Sequence, residues 1–139
     1  MYTTETKLRV RYYETDGMGV VHHSNYIRYF EFGRDDALVK LGLPLKKIEQ
    51  ELGIMMPVIS AECNYKTPAV YSDELTIVST VKELPRVKIK VETEIFRENG
   101  DLVCSGSVTL AFINSRTRKP TRAPAALVSK FEPFFKENI

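Results

Sequence analysis

One segment of this chain, Ser24 to Leu41, repeats its apolar residues at helical spacing, and almost everything after it alternates at a period of two. Tyr26, Phe30, Gly33, Ala37 and Leu41 follow i, i+4, i+7, with Ile27 and Leu38 widening the stripe. Ser24 or Asn25 can act as N-cap by accepting an orphan N–H of the first turn. Gly42 stands where a left-handed C′ residue is wanted, and Pro44 blocks continuation. The spacing therefore predicts a helix over Ser24–Leu41, with a further short helical turn between Pro44 and Glu51. A single long helix must bury its stripe against a sheet, which limits the chain to few architectures.

The remaining segments supply that sheet. Lys7–Tyr13 alternates as a strand with one wet face, and Ile54–Tyr65 is an apolar, mixed strand. In Asp73–Leu84, Leu75, Ile77, Ser79 and Val81 oppose Thr76, Val78, Thr80 and Lys82. In Arg86–Phe96, Val87, Ile89, Val91 and Ile95 oppose Lys88, Lys90, Glu92 and Glu94. Asn99-Gly100 suits both positive-φ positions of a type I′ hairpin turn, after which Leu102–Ile113 returns. Leu127–Phe135 is expected to be a terminal helix that Pro133 interrupts. Strands clustered after one early helix give an α+β class, a five-stranded antiparallel sheet on one long helix, in a single domain of 139 residues. Such a sheet has open edges, and outer aliphatic positions such as Val78 and Val103 suit pairing with a second copy.

Composition narrows the function classes. Twenty Lys and Arg against eighteen Asp and Glu leave +2, too balanced for non-specific nucleic-acid binding. Cys63 and Cys104 are the only cysteines and lack metal spacing, so two buried thiols in a reducing cytosol are expected. The N-terminal residues lack a signal peptide's basic and apolar regions, and no apolar run approaches a membrane span. The expected setting is cytoplasmic. No dinucleotide fingerprint, P-loop or nucleophile elbow is present.

Chemistry concentrates between the first strand and the helix, in Asp16-Gly17-Met18-Gly19-Val20-Val21-His22-His23-Ser24-Asn25-Tyr26. A helix N-terminus offers unpaired N–H groups and about half a positive charge, suited to a carbonyl oxygen that becomes negative. A carboxylate on a glycine-containing loop can reach the same point. Equally, an Asp in such a loop can bond its own backbone as a turn residue. Glu14 pairs with Asp16 at i, i+2 or is solvated. Adjacent His22 and His23 diverge and lack a third ligand, so no metal is expected.

The stretch Val10 to Glu31, with Asp-x-x-Gly-x-Val-x-x-x-x-Tyr at Asp16–Tyr26, closely resembles the signature of hot-dog-fold acyl-CoA thioesterases. The resemblance is to the 4-hydroxybenzoyl-CoA thioesterase group, including its Tol–Pal-associated bacterial branch. It extends through Tyr65-Lys66-Thr67-Pro68-Ala69 and Tyr71-Ser72-Asp73-Glu74-Leu75 to about Ile113. It implies five antiparallel strands wrapped around the helix, a homodimer or a homotetrameric dimer of dimers, and acyl-CoA at the subunit interface.

It further implies hydrolysis without a cofactor. Asp16 would be nucleophile or general base, the His23 backbone N–H would polarise the carbonyl, and Gly19 would let the backbone approach. Tyr26 and Asn25 would lie near substrate, with core packing and loop anchoring as their plainer roles. Glu31 would pair with Arg28 and Arg34, or serve as the helix-borne acid of related hot-dog enzymes. Lys66, Arg86, Lys88, Lys90 and the Arg116-Thr117-Arg118-Lys119 run would face the phosphates of coenzyme A. A hydro-lyase acting on hydroxyacyl thioesters and a non-catalytic acyl-CoA-binding module are the competing functions.

Overall fold

The long amphipathic segment folds as expected. In the computed structural model, which describes residues 1–136, helix α1 spans Ser24–Lys40. It ends at Gly42, whose φ of 84° only glycine adopts freely, and α2 (Leu45–Glu51) follows Pro44. The buried stripe is Tyr26, Tyr29, Phe30, Gly33, Ala37 and Leu38. Tyr29 belongs to it and Ile27 does not, being exposed. Neither Ser24 nor Asn25 caps the helix: His23 holds the N-cap position and makes no side-chain cap.

The sheet comprises β1 (Tyr2–Arg9), β3 (Val58–Tyr65), β4 (Glu74–Val81), β5 (Lys88–Phe96) and β6 (Leu102–Ala111), with β2 (Ile54–Met55) between α2 and β3. Its order is β1-β4-β5-β6-β3, antiparallel throughout. A small ribbon pairs β2 with β7 (Ile113–Asn114), and α3 (Ala125–Phe131) precedes a single 3-10 turn at Glu132–Phe134 containing Pro133. This is the expected helix wrapped by five strands.

The inner faces of β4 and β5 are Leu75, Ile77, Ser79, Val81 and Ile89, Val91, Thr93, Ile95. Val87 stands outside β5 and is exposed. Gly33 sets the closeness of α1 to β4: a Cβ there would lie 2.6 Å from Ile77 Cγ2 and 2.8 Å from Ser79 Oγ.

Three sequence expectations need correcting. The first strand starts at Tyr2 and stops at Arg9, because β4 pairs with all of Tyr2–Arg9 and so orders a segment with little apolar pattern. Tyr12–Glu14 is a 3-10 turn instead. The β5–β6 turn is not type I′. Only Gly100 has a positive φ, and its N–H donates to the Arg97 carbonyl at 3.0 Å, so a tight turn followed by one left-handed glycine closes the hairpin. Val103 is no outer position: it is buried, and its carbonyl accepts the Lys66 and Thr67 N–H groups.

Candidate active site

The loop from β1 to α1 folds back as a miniature hairpin. Thr15 bridges Val21, the Asp16 N–H donates to the Val20 carbonyl at 2.8 Å, and the His22 N–H donates to the Glu14 carbonyl at 2.9 Å. Gly19 sits at its tip with φ of 82°, a conformation that any side chain would strain. The β3–β4 connection clamps this hairpin through Val21 N–H to Ala69 O at 2.8 Å and a Val20–Val70 bridge. Asp73 in turn holds the Val70 N–H at 2.9 Å and pairs with Arg97 at 3.0 Å.

Asp16 is fixed by its own loop. Its Oδ1 accepts the Met18 N–H at 2.7 Å and the Val20 N–H at 3.3 Å. Its Oδ2 has no donor among the described residues. The turn-residue reading therefore describes one oxygen and leaves the other available.

At the start of α1, the Ser24 N–H reaches His22 Nδ1 at 3.2 Å, the Asn25 N–H reaches His22 O at 2.9 Å and the Tyr26 N–H reaches His23 O at 3.2 Å. The His23 N–H has no acceptor among the described residues. Its exposed ring stacks on His22 at 4.3 Å. A cleft of about 260 Å³ opens here, lined by Val21, His23, Tyr26, Tyr65, Lys66, Thr67 and Pro68. The Tyr26 ring lies 5.5 Å from that of Tyr65, and its hydroxyl accepts the Ala69 N–H at 3.4 Å. Burial raises the Tyr26 hydroxyl above its ordinary range. Three expected residues, His23, Tyr26 and Lys66, thus share one cleft, while Asp16 and Gly19 lie on the adjoining hairpin.

The remaining expected residues lie elsewhere in this chain. Asn25 is buried and donates its amide to the Glu14 carbonyl at 2.8 Å, so it anchors the loop, the plainer of its two expected roles. Lys88 and Lys90 start β5, opposite Ala111 and Thr109, whereas the cleft's Tyr65 aligns with Cys104 and Ile95 near the strand's far end. Five to seven residues of strand separate them, on the order of 20 Å. Arg86 lies beyond Lys88, its carbonyl taken by the Ala123 N–H at 2.6 Å. Alternation assigned these cations a face but could not assign them an end. Glu31 forms no ion pair among the described residues. With Arg28, Arg34 and Asp35 it lines a separate groove of about 480 Å³ between α1 and Val58.

Glu14 is neither solvated nor an acid–base partner of Asp16. It is buried, paired with Arg11 at 2.8 Å and bonded by the Tyr29 hydroxyl at 3.0 Å. Burial pushes its carboxyl up, but the Arg11 side-chain and backbone hydrogen bonds, the Tyr29 bond and the Arg11 charge outweigh this and hold it below its ordinary range. Part of the signal was present: Arg11 and Glu14 stand three apart, and Tyr29 is one of two tyrosines whose hydroxyls fall on the buried stripe. Both thiols are free, with Cys104 buried, and burial raises them.

Residues 10–131 match the model of the thioesterase-like superfamily. The chain belongs to that superfamily. This thioesterase-like chain is 32% identical over 127 residues to an acyl-CoA thioesterase of Helicobacter pylori, YbgC, covering 85% of this chain and 92% of that one. It is 27% identical over 120 residues to a Bacillus subtilis relative named as an acyl-CoA thioesterase, YneP, with 86% of each covered. Among solved structures, a DHNA-CoA thioesterase from Staphylococcus aureus superposes with a TM-score of 0.84 at 32% identity, covering 99% of this chain and 98% of that one. The thioesterase-like, hot-dog assignment therefore covers nearly every element described above.

Proposed function

We propose that this chain hydrolyses acyl-CoA thioesters with Asp16 and the His23 backbone N–H as its chemical groups. Its relatives named as acyl-CoA thioesterases support the reaction. The observation that supports these residues is a carboxylate held by two backbone N–H groups on one oxygen, leaving the other free, on the hairpin leading to the unclaimed His23 N–H.

In this reading the thioester carbonyl oxygen accepts the His23 N–H at the positive end of α1. Asp16 Oδ2 then either attacks the carbonyl carbon, giving an acyl anhydride that water opens, or takes a proton from an attacking water. Either route breaks the carbon–sulfur bond, releases the CoA thiolate and yields the free acid. Pre-fixed Oδ1 bonds mean little reorganisation accompanies the step. Lys66 at the cleft rim supplies a cation for the phosphates of CoA.

The β3 edge supports association with a second copy. Val58 and Ile59 are 52% and 50% exposed on a strand bonded on one side only, to β6. A homodimer or dimer of dimers in the cytoplasm is the proposed state.

Thiol release from acyl-CoA tests the reaction, and Asp16→Asn tests the residue. Its isosteric amide is expected to keep the fold and lose at least about 100-fold in kcat, comparable to removing one preorganised catalytic group. Wild-type turnover in the variant would return Asp16 to a turn role. Enoyl product from a 3-hydroxyacyl substrate without thiol release would replace the hydrolase with a hydro-lyase.

A further inference from the structure

Two residues before Asp16 the chain buries a carboxylate that takes no part in the steps above. Glu14 Oε1 accepts the Arg11 backbone N–H at 2.8 Å, Arg11 Nε–H at 3.0 Å and the Tyr29 hydroxyl at 3.0 Å, while Oε2 accepts Arg11 Nη2 at 2.8 Å. Its carbonyl is occupied too, by the His22 N–H at 2.9 Å and the Asn25 side-chain amide at 2.8 Å. Glu14 is thus tied by its side chain to the exit of β1 and the second turn of α1, and by its main chain to residues on both sides of His23.

A half-buried ion pair is weak support for stability alone, because solvent screens the exposed Arg11 and apolar residues of equal volume can replace such a pair at little loss. An apolar set would not reproduce this convergence. Helix ends fray, and a hydroxyl from Tyr29 references Glu14 to the helix body rather than to its first turn. Tyr29 is 1% exposed and Glu14 5%, so no substrate atom can reach the bond between them.

We infer that Glu14 and Tyr29 are positioning residues for the hydrolysis, setting the Asp16 carboxylate relative to the His23 N–H without touching substrate. This rests on the mechanism proposed above. Misplacing reacting groups by an ångström costs rate without weakening ground-state binding, so the defect falls on kcat and spares KM.

The test measures kcat, KM and melting temperature for Tyr29→Phe, Asp16→Asn and the double variant in the full-length protein with an acyl-CoA substrate. Tyr29→Phe removes one hydroxyl and leaves Arg11 to neutralise Glu14, so folding is retained. Expected is roughly a tenfold fall in kcat with KM within about twofold. In the Asp16→Asn background the same change should cost almost nothing, because its effect runs through that carboxylate. Glu14→Gln, which still accepts the Tyr29 hydroxyl, should keep more kcat than Glu14→Ala. An unchanged kcat in Tyr29→Phe overturns the inference, as does an equal loss in both backgrounds, which marks a purely structural role. An Asp16→Asn variant as active as wild type instead brings down the mechanism itself.

Discussion

Glu14 and Asp16 stand two residues apart in different settings, one buried among three donor groups and the other partly exposed with a free oxygen. The difference is measurable as pH dependence. The Glu14 carboxyl is held below its ordinary range in the folded chain. Above that range both states are ionised and the stabilisation is complete. As pH falls through about 4.3 and below, the unfolded chain takes the proton first and the stabilisation is lost. Glu14→Gln should therefore show a shallower loss of melting temperature on acidification than wild type, and parallel acid limbs would contradict the assignment. Gly19 carries a second prediction. Replacing it with Ala meets no atom within 4 Å but forces a side chain to φ of 82°, costing about 1–2 kcal/mol. Denaturant titration should show that loss, together with reduced kcat.

At the scale of elements, the contact between α1 and β4 is limited by one missing side chain. Gly33→Ala gains about 1 kcal/mol of helix propensity but pushes a methyl into Ile77 and Ser79, where overpacking costs about 1–3 kcal/mol. The expected result is a melting temperature lower by roughly 3–5 °C, and an unchanged or higher value would mean α1 shifts freely. Period reading worked where a face is decided by burial alone, as in α1, β4 and β5. It failed for Tyr2–Thr6, whose strand exists because β4 offers an edge to pair with, and for the turn at Asn99-Gly100, where only the glycine takes positive φ. Local patterns encode neither partner availability nor turn closure.

For the whole molecule, the grouping of the candidate residues was legible to the extent that they are contiguous in sequence. Asp16, Gly19, His23 and Tyr26 fall on one hairpin and the helix it feeds. Residues brought in from elsewhere were harder: Lys66 reached the cleft, while Lys88 and Lys90 landed at the far end of the sheet. The Glu14–Arg11–Tyr29 cluster was missed because a buried charge looks like a surface charge until its partners are known. Association is the molecular-scale prediction. A charge placed on the β3 edge by Ile59→Lys should shift the sedimentation or light-scattering mass to a monomer, and an unchanged mass would rule out that edge. The most direct test of the central claim is a crystal structure of Asp16→Asn with an acyl-CoA bound. The account predicts the thioester carbonyl oxygen about 2.7–3.1 Å from the His23 nitrogen, with its carbon facing residue 16. A thioester seated away from that nitrogen, or turned from that side chain, would contradict it.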